Sequence, residues 1–168
     1  VAIKKQIEVR NRSRFDDSKE LDVSALCYNE GMVNGVIAQK LQALDLALAE
    51  LRSLGVVSAK QLQANWQQQR AIERNLQVLV EVVIDVCQRL LMIDGQSPAT
   101  SAADAVGRVI QIGALTPDEN YTRMVRLRNF IVHRYEHIDP DVLANMINRH
   151  LGDFEKFRDE VLAYVQSH

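Results

Sequence analysis

Residues 58–95 read SAKQLQANWQQQRAIERNLQVLVEVVIDVCQRLLMIDG. Leu62, Trp66, Ile72, Leu76, Leu79, Val80, Val83, Val86, Cys87 and Leu90 recur there at the three- and four-residue intervals of one helix face. Ser58, followed three residues later by Gln61, forms a capping-box pattern at the start. Gly95 supplies a stop just past the end, so the spacing predicts one long helix over 58–93. Its apolar arc is too broad for a helix lying on a single neighbour, and such an arc calls for burial against several others. The fold that follows is a helical bundle.

The flanking sequence agrees. Upstream, Ile37, Leu41, Leu44, Leu48 and Leu51 carry helix spacing over 36–54, ended by Gly55. Downstream, Ser97-Pro98 marks a loop, and Ser101 caps a third helix reaching about Ile112, with Asp104 at the box position. Thr116-Pro117-Asp118-Glu119 combines a cap, a proline at the first helical position and acids at the positive end of the dipole. That fourth helix should run through Tyr135 or slightly beyond. Asp139-Pro140-Asp141 opens a fifth, continuing to about Val165. The expected fold class is all-α, an up-and-down bundle of about five helices.

Residues 1–35 differ. They lack a sustained helical stripe and interleave charges, as in Arg10-Asn11-Arg12-Ser13-Arg14 followed by Asp16-Asp17. We read them as an N-terminal extension, flexible or non-native, left by cloning or by an upstream frame. Met32 is then a natural start, and residues 36–168 form the helical domain. Arg10 to Arg14 could touch RNA, but a solvated tail is the favoured reading.

Composition narrows the function. Hydrophobic residues make up 47% and charged residues 25% of 168, which suits one globular domain with its own core. Twenty Lys and Arg against 22 Asp and Glu give a net charge of −2, so any nucleic-acid contact must come from a local patch. Cys27 and Cys87 have no metal-type spacing, and Cys87 reads as a buried thiol. No secretory signal is visible and no apolar run is long enough for a bilayer, so the expected location is cytoplasmic, without membrane contact.

The fourth helix carries the chemistry: Tyr121-Thr-Arg123-Met-Val-Arg126-Leu-Arg128-Asn129-Phe-Ile-Val-His133-Arg-Tyr135-Glu-His137-Ile138. At about 100° per residue, Met124, Leu127, Ile131 and Ile138 share an apolar face, while Arg126, Asn129, His133 and His137 share a locally basic one. Asn129 and His133, four apart, are neighbours. Arg128 falls at the edge of the apolar face. A guanidinium there either pairs with a buried carboxylate, for which Glu73 is the candidate, or opens onto a groove that takes a phosphate. Taken one at a time, such a histidine is ordinarily solvated, such an arginine a structural ion pair and such a tyrosine a rim aromatic. His150 and His168 read as surface residues, and Trp66 as a packing residue or an interface one.

Arg128, four residues, His133, one residue, Tyr135 resembles the Arg-x4-His-x-Tyr signature of the HepT-like HEPN ribonuclease toxins. The resemblance extends along residues 125–139 and to the segment Arg70-Ala-Ile-Glu73-Arg74-Asn-Leu-Gln77, and it covers the chain from about Val36 onward. It implies a HEPN-type bundle that forms a homodimer and brings two motif helices together around one cleft. It implies a toxin of a type VII toxin–antitoxin system, cutting RNA without a metal and with the 2′-hydroxyl as nucleophile. Arg128 would neutralise the scissile phosphate, His133 would move protons and Asn129 would help to position His133 or the substrate, with Glu73, Arg126 and His137 as possible support. No cofactor is implied for cleavage. The partner would be a minimal (MNT-type) nucleotidyltransferase antitoxin that uses ATP to transfer AMP to Tyr135. Two other readings remain open: a non-catalytic helical binding partner of a nucleotidyltransferase, and a structural bundle with an incidental motif.

Overall fold

A computed structural model describes residues 35–133 and 138–167, leaving aside the side chains of Val132 and His133. The described residues belong to the unit Met32–His168. Among them there are seven helices and no strand. They are α1 (Gly35–Ser53), α2 (Ala59–Ala64), α3 (Trp66–Ile93), α4 (Ala102–Gln111), α5 (Glu119–His133), α6 (Pro140–Arg149) and α7 (Leu151–Ser167). The expected extension over residues 1–35 lies outside the described residues, except for Gly35.

Helix α3 is the axis of the bundle. α1 packs along it, α4 and α5 pack against it, and α2 and α6 touch it near its start. Its core face is made of Ile72, Leu76, Leu79, Val80, Val83, Val86, Cys87 and Leu90, and α1 meets it with Ile37, Leu41, Leu44, Leu48 and Leu51. Each such side chain contributes about 1.5–3 kcal/mol when fully buried, which is why the stripe rather than local propensity holds the helices together. Gly55 and Gly95 take φ of +65° and +71°. This is the left-handed conformation in which a helix is readily closed.

Two long helices are broken. The expected helix over 58–93 stops at Asn65, whose own N–H donates to the Leu62 carbonyl while its side chain accepts from the Gln68 N–H. The Ser58–Gln61 capping box is present and belongs to short α2. The expected fifth helix divides at His150 into α6 and α7, and the Asp139 cap with Pro140 in the first turn opens α6 as the sequence indicates. The helix start at Thr116 moves as well. The Thr116 hydroxyl and amide are both taken by Glu160, at 2.6 and 2.9 Å, so capping passes to Asp118, which accepts the Asn120 N–H at 2.9 Å, and α5 begins at Glu119.

Trp66 is not a packing residue, being 66% exposed at the start of α3. Among the described residues, no helix is long and apolar enough to cross a membrane.

Candidate active site

Helix α5 is fixed at its N-terminal end by α7. Tyr121, only 1% exposed, donates its hydroxyl to Glu160 at 2.8 Å and meets the Phe157 ring edge-on, with centroids 6.2 Å apart. Burial, then the Glu160 carboxylate, raises the Tyr121 pKa, so its phenol stays protonated and donating. Burial would raise Glu160, but the Thr116 hydroxyl and amide and the Tyr121 hydroxyl outweigh it and hold the carboxyl below its usual range. Asn120 bonds Asp153 at 2.9 Å, and Lys156 bonds Asp118, lowering the aspartate and raising the lysine.

The far side of the motif segment is held by α3. Gln69, 7% exposed, donates to the Ile138 carbonyl at 2.9 Å and to Glu73 at 3.1 Å. Glu73 is buried and takes its second donor from Arg70 at 2.7 Å. Glu73 is therefore already satisfied by its own helix and is not the partner expected for Arg128. Its place is in the clamp on the chain that follows the motif.

Arg128 takes the other course, opening onto a groove. Among the described residues neither Arg128 nor Arg126 makes a hydrogen bond or ion pair, whereas Arg123, one turn earlier, bonds Glu119 and Asn120. Arg126 is exposed; Arg128 is partly buried and lines a cleft of about 570 Å³ together with Asn129 and Val125. Ile84 and Gln88 of α3 form a second wall, and the chain entering α4, residues 99–103, forms a third. The entry to α4 is stiffened by its own bonds. Ser101 accepts the Asp104 N–H at 3.1 Å, and Asp104 accepts the Thr100 N–H at 2.8 Å, a bond that with the Thr100 hydroxyl and Arg108 keeps the Asp104 pKa low. Among the described lining residues there is no carboxylate, and a guanidinium so placed can offer two parallel N–H donors to a phosphate or a carboxylate.

The sequence expectations divide accordingly. Arg128 and Asn129 line one cleft, and Glu73 and Arg126 lie away from its lining. The backbone of His133 closes α5. Its side chain, and Tyr135 and His137 entirely, lie outside the described residues. His150 accepts or donates a bond with Asp153 at 3.1 Å across the α6–α7 junction, and His168 is also outside the described residues. Gln69, Gln88, Thr100 and Ser101 are absent from the sequence reading of the site. The available signal was a polar residue in line with or beside the apolar stripe: Gln69 stands three before Ile72, and Gln88 four after Ile84, which is half-buried at the stripe's edge. Cys87 is buried as expected, and burial pushes its thiol up to about 12, leaving it neutral. Among the described residues, no three of His, Cys, Asp and Glu gather as metal ligands do.

A family model described as Ribonuclease HepT-like matches residues 44–161, a span that contains all three walls of the cleft and the whole Arg-x4-His-x-Tyr pattern. The chain belongs to the ribonuclease HepT-like family. A curated HepT relative, the mRNA nuclease HepT of Shewanella oneidensis, is 25% identical over 133 residues, covering 78% of this chain and 99% of the relative. The solved structure of the tri-AMPylated S. oneidensis HEPN toxin in complex with the MNT antitoxin superposes with a TM-score of 0.70 at 25% identity, over 78% of this chain and 99% of that one. A second solved toxin–antitoxin complex, with AMP-PNP, gives a TM-score of 0.69 at 24% identity over 77% and 99%, and likewise has the HepT-like fold.

Proposed function

We propose that this chain is the toxin of a toxin–antitoxin pair, an endoribonuclease that cuts messenger RNA in the cytoplasm. The observation that carries this reading is Arg128, a cation with no partner among the described residues that lines an open cleft, on the same helix and five residues before His133. Family membership and the nuclease named among the relatives support it.

The chemistry needs few parts. RNA brings its own nucleophile: the 2′-oxygen attacks the adjacent phosphorus, the bond to the 5′-oxygen breaks, and a 2′,3′-cyclic phosphate and a 5′-hydroxyl result. A metal-bound water is not required for this step, and we propose that neither metal nor cofactor takes part. Arg128 neutralises charge spreading onto the phosphate oxygens. Imidazole is the side chain suited to proton exchange near neutral pH, and His133 moves the protons in this reading, a contribution of about 10²–10⁴-fold. Asn129, one turn before His133, positions it or the substrate.

Arg128 and His133 stand about 140° apart around the helix axis, so one helix does not aim both at one phosphate. A homodimer that sets two copies of α5 side by side supplies the arginine from one and the histidine from the other.

The antitoxin in this reading is a nucleotidyltransferase. The Tyr135 phenol oxygen attacks the α-phosphorus of ATP, pyrophosphate leaves, and the phenol proton passes to solvent. The attached AMP adds negative charge and bulk, competes with RNA for Arg128 and blocks the cleft. ATP is consumed only in this modification.

The test is cleavage of messenger RNA by the purified chain in excess chelator, beside His133→Ala. Cleavage by the wild type, reduced at least 100-fold in the variant, is expected. No cleavage by either protein, or equal cleavage by both, contradicts the assignment.

A further inference from the structure

The cleft holds more than a phosphate needs. Arg128 supplies one charged fork at its edge, but the volume, about 570 Å³, falls within the range of about 300–1,000 Å³ typical of small-molecule sites. Ile84, Val125 and Ala102 offer apolar surface. Gln88 and Asn129 carry amide groups able both to donate and to accept, and among the described residues neither is engaged in a hydrogen bond. Ser101 accepts the Asp104 N–H, which leaves its hydroxyl proton to give. A phosphate-binding fork, an apolar wall and unused amides within one cleft match the three parts of a nucleotide: phosphate, base face and base edge.

We infer that this cleft is a nucleotide subsite: it seats one RNA nucleotide flanking the scissile bond, with its phosphate on Arg128, its base face against Ile84 and Val125, and its base edge read by Gln88. This rests on the ribonuclease reading and adds to it a source of sequence preference. Gln88 is thereby a specificity-determining residue, since an amide can be satisfied by some base edges and is left unpaired by others. Binding does not need aromatic stacking, and the lining contains no aromatic side chain.

The experiment is a calorimetric titration of the full chain with the four ribonucleoside 3′-monophosphates and the four 5′-monophosphates. Inorganic phosphate and the unphosphorylated nucleosides serve as controls. None of these holds a scissile diester, so the result is independent of whether the protein cuts RNA. At least one monophosphate should bind ten-fold or more tighter than both controls. Arg128→Ala should abolish that binding. Gln88→Ala should change the order of preference among the bases, and Ala103→Phe, at an exposed position on the cleft lining, should exclude all of them. Circular dichroism melts at wild-type temperature establish that the variants are folded. Inorganic phosphate binding as tightly as every nucleotide, an unchanged base order in Gln88→Ala, or no nucleotide binding at all overturns the subsite. Nucleotide binding without RNA cleavage would overturn the nuclease reading and leave the subsite standing.

Discussion

Arg128 is where two physical accounts of this protein part. A guanidinium at the edge of an apolar helix face is either a structural ion pair or a ligand receptor, and the choice depends on the nearest buried carboxylate. Glu73 is that carboxylate, and Arg70 and Gln69 on its own helix satisfy it at 2.7 and 3.1 Å. Arg128 is left to the cleft. The Arg70-x-x-Glu73 pairing is local and was legible in the sequence; that Arg128 faces α3 at Ile84 and Gln88, well past Glu73, depends on the tertiary fold and was not. Replacing Arg128 should therefore act on catalysis and not on folding. In Arg128→Ala we expect cleavage to fall by about 10²–10³-fold and the unfolding free energy to stay within about 0.5 kcal/mol of wild type. RNA cleavage rates and urea melts on the same preparations check both halves. A large loss of stability would return Arg128 to the structural role.

At the level of elements, the existence and faces of the helices could be read from periodicity alone, because the stripes of α1 and α3 are the core itself. The breaks could not. Sequence on both sides of Asn65 favours helix, and the interruption is fixed by capping bonds together with the docking of α2 on α6. Asn148 ties the same region down, exchanging two bonds with the Val57 backbone at 3.1 and 2.8 Å across 91 positions, a contact that only the tertiary fold brings about. The motif helix shows the functional side of such long-range bonds. α7 holds its beginning through Tyr121 and Asn120, and Gln69 holds the chain where it resumes at Ile138. Gln69→Ala should leave the Ile138 carbonyl and one accepting oxygen of Glu73 without their donor in a buried setting, a cost of about 1–3 kcal/mol. Amide exchange at Ile138 and Asp139 should quicken, and RNA cleavage should fall while bulk helicity holds. Unchanged exchange there would mean that Gln69 does not position the motif segment.

On the scale of the whole molecule, a slightly acidic chain of net charge −2 must handle a polyanion through a local feature. The candidate is the strip of α5 where Arg126 and Arg128 have no acidic partner among the described residues while Arg123 pairs with Glu119. Homodimerisation would double that strip. It also answers the angular problem of the motif, since a two-fold axis that juxtaposes two α5 helices gives two equivalent sites, each drawing on both copies. This central claim has a direct test. Arg128→Ala and His133→Ala chains are each prepared alone, then unfolded, combined in equal amounts and refolded together. If the arginine and histidine of a site come from different subunits, the mixed dimer holds one site with both groups intact. With half of the dimers mixed, about a quarter of wild-type RNA cleavage returns, although each variant alone is inactive. No recovery, with mixed dimers demonstrated by mass spectrometry, would contradict a site shared between two copies of the motif helix.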